Sequence, residues 1–382
     1  MKKQILLAFL FLVFLSSKAI SQSDLQNSDC ALLNPKDFNK VINGKQVGLF
    51  LLKNGNLTAA ITNYGGRIVS LCAPDKNGQM ADVVLGFKSI DDYLKATGVY
   101  HGAIIGRVIG RIAKGTFEMD GKTYSLPINN GLNHQHGGIN GFHNQVWDVK
   151  SVTANSIILS YVSVDGEMGY PGTLEVEATY QLTSNNDLTL KLSATTDKTT
   201  PVNLTNHAFF NLAGEGNGTI LDHILTIPSN SFCAVNPDKI KTGELLKVSG
   251  TPFDFRKRKA IGNDIILENA NEQLKIGGGY DQSYVLKKKH SNKLVLAATV
   301  VDPKSGRKLE VSTNNLGVHF FSANFFKGTD VGKMGKPFNF RESFALETQD
   351  YNSPNQKSFP TVILKPGQKY DSYTVYHFST TK

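Results

Sequence analysis

Leu174-Glu175-Val176-Glu177-Ala178-Thr179-Tyr180-Gln181-Leu182, followed by Thr183-Ser184-Asn185-Asn186-Asp187 and then Leu188-Thr189-Leu190-Lys191-Leu192-Ser193-Ala194, decides the fold. In the first run Leu174, Val176, Ala178, Tyr180 and Leu182 fall on one side of an extended chain, and Glu175, Glu177, Thr179 and Gln181 on the other. Strict period two marks a strand with one buried face. The second run repeats the pattern, with Leu188, Leu190, Leu192 and Ala194 opposite Thr189, Lys191 and Ser193. The polar cluster Ser184-Asn185-Asn186-Asp187 between them supplies turn residues, so the pair reads as a β-hairpin.

Further strands are expected at Leu57 to Thr62, Ile157 to Val164, Leu294 to Val301, Lys308 to Thr313 and Ser372 to Phe378, most bordered by Gly, Asn, Asp or Pro. Helical periodicity is scarce. The one candidate spans Ser89 to Ala96, where Ser89 can cap and Asp91 and Asp92 complement the positive helix end. Many strands with few helices predict an all-β protein, a large antiparallel β-sandwich in preference to a barrel. No repeat of solenoid or propeller period is visible.

The chain has 382 residues and a formal charge of +9. Lys2 and Lys3 precede an apolar run from Ile5 to Leu15, then Ala19-Ile20-Ser21, the pattern of an export signal. The run is too short to span a bilayer, which takes about 20 apolar residues. We expect residues 1–21 to be removed, 22–34 to form an N-terminal extension and 35–382 to form one domain, in the periplasm or outside the cell. Loss of Lys2, Lys3 and Lys18, with no acid, takes three charges from +9 and leaves +6. That mild excess, with a single basic cluster at Arg256-Lys257-Arg258-Lys259, argues against a nucleic-acid partner. No membrane association is expected once the leader is gone, and the mature chain should be monomeric. Cys30, Cys72 and Cys233 lack the spacing of a zinc site, and at most one disulfide is possible.

Four segments gather polar chemistry beside glycine or aromatic residues: Gly106 to Ile112 with Arg107 and Arg111, Asn133 to Trp147 with His134 and His136, Asn206 to Leu212 with His207, and Leu346-Glu347-Thr348-Gln349. On a strand, His134 and His136 would face one way, as metal ligands often do, but no third ligand stands at a recognisable interval and Gly137-Gly138 suggests a loop. No metal and no cofactor is expected. Arg107 and Arg111 suit surface positions that cover apolar neighbours. His207 suits a half-buried histidine, and Glu347, approached through Phe344-Ala345-Leu346, a carboxylate in a low-dielectric setting.

In their order these segments resemble the aldose 1-epimerase (galactose mutarotase) family. The matching text is Asn63-Tyr64-Gly65-Gly66-Arg67-Ile68, the Gly-Arg-x-x-x-Arg-Ile of 106–112, the His-Gly-Gly of 136–138, Gly141-Phe142, Trp147, Tyr170-Pro171-Gly172, Asn206-His207, Pro252-Phe253-Asp254-Phe255-Arg256, Gly279-Tyr280-Asp281 and Leu346-Glu347-Thr348-Gln349 with Asn355-Gln356 and Phe359-Pro360. The resemblance implies a supersandwich fold, Glu347 as general base, His207 as general acid, and Arg111, His136 and Asp281 as sugar-binding residues. It also implies exchange of the α and β anomers of a free aldohexose, glucose or galactose. Three places depart from the family pattern: Gly110 where Asn is common, Gln282-Ser283 where His-Asn is usual, and His319 where Gln is common.

The chemistry suits those residue types. Anomer exchange needs a proton taken from the C1 hydroxyl while another reaches the ring oxygen, so one base and one acid suffice. Glutamate, ordinarily near pKa ~4.3, accepts at neutral pH and histidine, near ~6.5, donates. Such help is worth about 10² to 10⁴ in rate. Two other functions fit parts of the pattern: a glycoside hydrolase using Glu347 and Asp281 as its carboxylate pair, and a carbohydrate-binding module without turnover.

Overall fold

The computed structural model describes residues 30, 33–286 and 293–381. The expected leader and most of the extension lie outside the described residues. Cys30 is joined to Cys72, and Cys233 is a buried free thiol.

The hairpin forms as expected. Leu174–Leu182 pairs antiparallel with Asp187–Thr196, with Leu182 opposite Leu188 and Leu174 opposite Thr196. The apolar set of both strands is buried, while Glu175, Glu177, Gln181 and Lys191 are exposed. A buried Leu or Val side chain contributes about 1.5–3 kcal/mol, and these two strands supply six such side chains, Leu174, Val176, Leu182, Leu188, Leu190 and Leu192, to the main core. That core is closed from the other side by Phe210, Phe320, Phe344 and Leu346.

Around the hairpin grows a nine-stranded sheet. Its order is Asp148–Val152, Ser156–Ser163, Leu174–Leu182, Asp187–Thr196, Tyr370–Thr380, Arg307–Thr313, Val295–Val301, Ile224–Thr226 and Lys259–Ala260. A second sheet of six strands runs Phe209–Phe210, Phe344–Gln349, Gly317–Phe321, Asp281–Val285, Ser231–Val235 and Lys241–Lys247. A four-stranded sheet, from Leu49–Asn54 to Met80–Asp82, adds a further wall. Every ladder of these three sheets is antiparallel. The strands read from the sequence appear at their places, and the helix is Ile90–Lys95 with the Ser89 side chain accepting from the Asp92 amide.

The Phe344–Gln349 strand positions the site. All six residues are buried, because both of its faces are covered. Phe344 and Leu346 enter the main core, and the Thr348 hydroxyl lies 2.5 Å from that of Thr374 in the nine-stranded sheet. By alternation Ala345, Glu347 and Gln349 face the opposite side. Register then sets Ser283, His319 and Glu347 in one row across three strands. Phe209 pairs with Ala345, and the chain two residues before Phe209 brings His207 beside Glu347.

The basic cluster at 256–259 is partly spent on local structure. Arg256 pairs with Asp254 at 2.6 Å, and the Lys259 ammonium reaches Asp264 at 2.7 Å and the Pro252 carbonyl at 2.7 Å. Among the described residues no helix is long and apolar enough to cross a membrane.

Candidate active site

His207 Nε2 lies 3.3 Å from Glu347 Oε1, both side chains almost wholly buried. A carboxylate can only accept, so a hydrogen on Nε2 turns this approach into an attraction. His207 is held by its backbone, its N–H donating to the Ala103 carbonyl and its own carbonyl accepting from Gly102. The preceding Asn206 fixes that loop. Its amide donates to Gly102 O at 2.6 Å and to the Tyr180 hydroxyl at 3.1 Å, and its oxygen accepts from the Ala208 amide at 2.9 Å.

The pair opens onto a cavity of about 460 Å³, a size typical of small-molecule sites. All five residues singled out by the sequence, Glu347, His207, Arg111, His136 and Asp281, line it. His136 arrives through a left-handed backbone, φ 53°, directly after the short His134–Gln135 strand. Gly137 makes the turn possible, because a Cβ there would sit 1.7 Å from the Gly106 carbonyl oxygen. Burial, then the closeness of His207 and Arg111, holds the His136 imidazole well below its ordinary range. It is a neutral ring, whose Nδ1 accepts from the Gly110 amide at 3.3 Å and leaves Nε2–H for a ligand oxygen. The Gly110 departure thus sits at the site with a backbone amide as its contribution.

Asp281 is anchored at both oxygens, Oδ1 to His319 Nε2 at 2.9 Å and Oδ2 to Lys239 Nζ at 3.1 Å. Burial pushes its carboxyl up, but the His319 hydrogen bond and the closeness of His319, Lys239 and Arg111 outweigh it, and the group stays ionised. His319 Nδ1 in turn meets the Ser283 hydroxyl at 3.0 Å. Both substituted positions, Ser283 and His319, therefore line the cavity, whereas Gln282 turns away to the Gln273 carbonyl. Arg111 Nε donates to Asn130 Oδ1 at 2.9 Å.

Two residues flagged beside these belong elsewhere. Arg107 is buried, not at the surface, and its guanidinium is spent on Ser163, Val164, Pro171 and Thr200. His134 is fixed between the Pro127 carbonyl at 2.7 Å and the Tyr170 hydroxyl at 2.9 Å, so it shares no ligand with His136. Among the described residues no group of three His, Cys, Asp or Glu is placed to hold a metal ion.

The sequence did not single out Tyr100, Lys239 or Lys241. Tyr100 stacks on His207 at 5.9 Å and meets His136 edge-on at 4.7 Å. Burial pushes its hydroxyl up to about 12, against the opposing charge of Arg111, so it remains a neutral donor. Lys239 comes from the connection into the sheet's edge strand and Lys241 is that strand's first residue, where nothing in the local pattern marks them.

A carboxylate and an imidazole meeting in one small cavity, with further donors and acceptors around them, suit acid–base chemistry on a small hydroxylated molecule. A sequence profile of the family described as aldose 1-epimerase matches residues 48–377. Galactose mutarotase from Sus scrofa is 43% identical over 331 residues, covering 86% of this chain and 93% of that protein. Aldose 1-epimerase from Escherichia coli (strain K12) is 32% identical over 333 residues, covering 86% and 94%. The crystal structure of an aldose epimerase homologue from C. elegans superposes with a TM-score of 0.78 at 32% identity, covering 88% of this chain and all of that one. The chain belongs to the aldose 1-epimerase family, and its activity is the exchange of sugar anomers.

Proposed function

We propose that Glu347 and His207 carry this exchange on a free aldohexose, glucose or galactose, with Arg111, His136 and Asp281 holding the hydroxyls. The observation that carries the assignment is the 3.3 Å approach of an imidazole nitrogen and a carboxylate oxygen in one cavity. The hydroxyl and ring oxygens of a sugar share the anomeric carbon and lie closer together than that, so each group can address one of them. Glu347 accepts the C1 hydroxyl proton as His207 Nε2–H protonates the ring oxygen. The bond from C1 to the ring oxygen breaks, and the aldehyde forms. After rotation about the bond from C1 to C2 the steps reverse, and both protons return to their original groups.

A glycoside hydrolase would need one carboxyl of its pair protonated; with Asp281 held ionised by His319 and Lys239 that role would fall to Glu347, the carboxyl that faces His207 at 3.3 Å. A binding module would have no use for the contact of His207 with Glu347. Purified protein should speed the polarimetric decay of fresh α-glucose or α-galactose, and Glu347→Gln or His207→Asn should remove most of the gain. Binding of sugar with decay at the spontaneous rate would support the module, and release of sugar from an aryl glycoside the hydrolase.

The remaining assignments are that residues 1–21 are an export signal, that 35–382 act as one monomeric domain, and that the enzyme works in the periplasm or outside the cell. Mass determination of the mature N-terminus and light scattering test them.

A further inference from the structure

The mechanism leaves one cation of the cavity unused. Lys241 opens the Lys241–Lys247 strand opposite Val235, is half-buried, and lines the cavity. Its ammonium makes no hydrogen bond or ion pair with any described residue. Lys239, its near neighbour, is taken up by Asp281 at 3.1 Å and lies 3.8 Å from the centre of the Phe325 ring. The charged side chains lining the cavity are Arg111, Lys239 and Lys241 against Asp281 and Glu347, a surplus of positive charge. Burial works against the Lys241 charge, with Cys233, Glu347 and Asp350 opposing it only at a distance. An ammonium in such a setting lacks the counter-charge that would offset its desolvation. Gln349, in the same cavity, also has an unmet need, since its Oε1 is buried without a partner.

A ligand that answers both vacant groups carries an anionic substituent for Lys241 and a hydroxyl for Gln349 Oε1. We propose that the preferred substrate is an aldose bearing an acid group, a hexuronate carboxylate or a sugar phosphate, with that group bound by Lys241. The anomeric end meets Glu347 and His207, and the acid group is the one that meets Lys241. This rests on the anomer-exchange assignment of Glu347 and His207, and it specifies the substrate class of the same cavity.

The test uses the full chain and three sugars at neutral pH: galactose, galacturonate and galactose 6-phosphate, with exchange of anomers followed by NMR. For at least one acid sugar kcat/KM should exceed that for galactose by about tenfold, mainly through KM, the scale of one charge-assisted hydrogen bond. Lys241→Met, which keeps the stem and removes the charge, should cut the acid-to-neutral ratio by about tenfold, and Lys241→Arg should restore most of it. Added salt should lower that ratio in the wild type. The two acids tell carboxylate from phosphate. Equal or poorer use of both acids, or a ratio unchanged by Lys241→Met, overturns the proposal while leaving anomer exchange standing. Failure of all three sugars to exchange faster than in buffer would overturn the assignment of Glu347 and His207 and this proposal with it.

Discussion

Acid should unfold this protein through its buried histidines. His101 Nδ1 donates to the Gly98 carbonyl at 2.8 Å, and the ring is boxed by Phe87, Phe209, Phe326 and Phe338. His223 Nε2 accepts from the Leu212 amide at 3.1 Å, and His143 packs edge-on to Tyr100 at 4.8 Å. Burial is the largest cause in all three, and it depresses His101 to about 4, His223 to about 4 and His143 to about 3. The unfolded chain, with histidines near ~6.5, binds more protons through this window, so stability is full above ~6.5 and falls as pH drops towards ~4. Integrated from pH 8 to pH 5, each histidine costs about 2 kcal/mol and the three about 6 kcal/mol. Glu215, whose carboxyl burial raises, offsets part of this near the bottom of the range. Against a typical total of 5–15 kcal/mol the loss is large. Urea unfolding at several pH values measures it directly, and His101→Phe, filling an aromatic box, should reduce the pH-dependent part by about 2 kcal/mol. A stability that changes by less than about 2 kcal/mol between pH 8 and pH 5 would refute the reasoning, because the rings would then take up protons in the folded state.

Three further outcomes follow from the site. Asn206→Ala leaves buried groups of the His207 loop unpaired and should cost about 2–4 kcal/mol in thermal or urea unfolding, with kcat lowered more than KM is raised. Asp281 has its folded pKa depressed, so its contribution is present above ~4 and lost as pH falls below that. Asp281→Asn should therefore flatten the acid limb of the stability curve below pH ~4 and weaken sugar binding measured by calorimetry. The double variant Glu347→Gln with His207→Asn should cost about as much in kcat as the worse single variant, because the two act as one unit. Additive losses in polarimetry would mean that they act separately.

The sandwich was legible because the hairpin strands are covered by core on one face and meet water on the other, so hydrophobicity alternates in the text. The strand that carries Glu347 hides the same rule. It is buried at every position, and Phe344-Ala345-Leu346-Glu347-Thr348-Gln349 reads as an apolar approach to one carboxylate. Arg111, His136, His207 and Glu347 stood out in polar segments, Asp281 and the roles of all five entered through the resemblance, and chemistry explains why those types suit the task. Arg107 and Arg111 look alike in sequence, and only the packing sends one guanidinium to core carbonyls and the other to the cavity. Tyr100 and Lys239 come from connections without periodicity, and Lys241 from the very start of an edge strand. Their meeting depends on how the strand edges are brought together, which no local pattern encodes.

The Phe344–Gln349 strand is a wall with hydrocarbon behind it and the cavity in front. Adding or deleting a single residue within it would turn Leu346 or Thr348 outward and drive the carboxylate of Glu347 into hydrocarbon. Changes of length at this place are therefore closed to variation and to the engineer alike. What the enzyme accepts can be retuned only by exchanging side chains on the front of the wall, as at Ser283 and His319, or by remodelling the connections that bring Tyr100 and the two lysines to the rim.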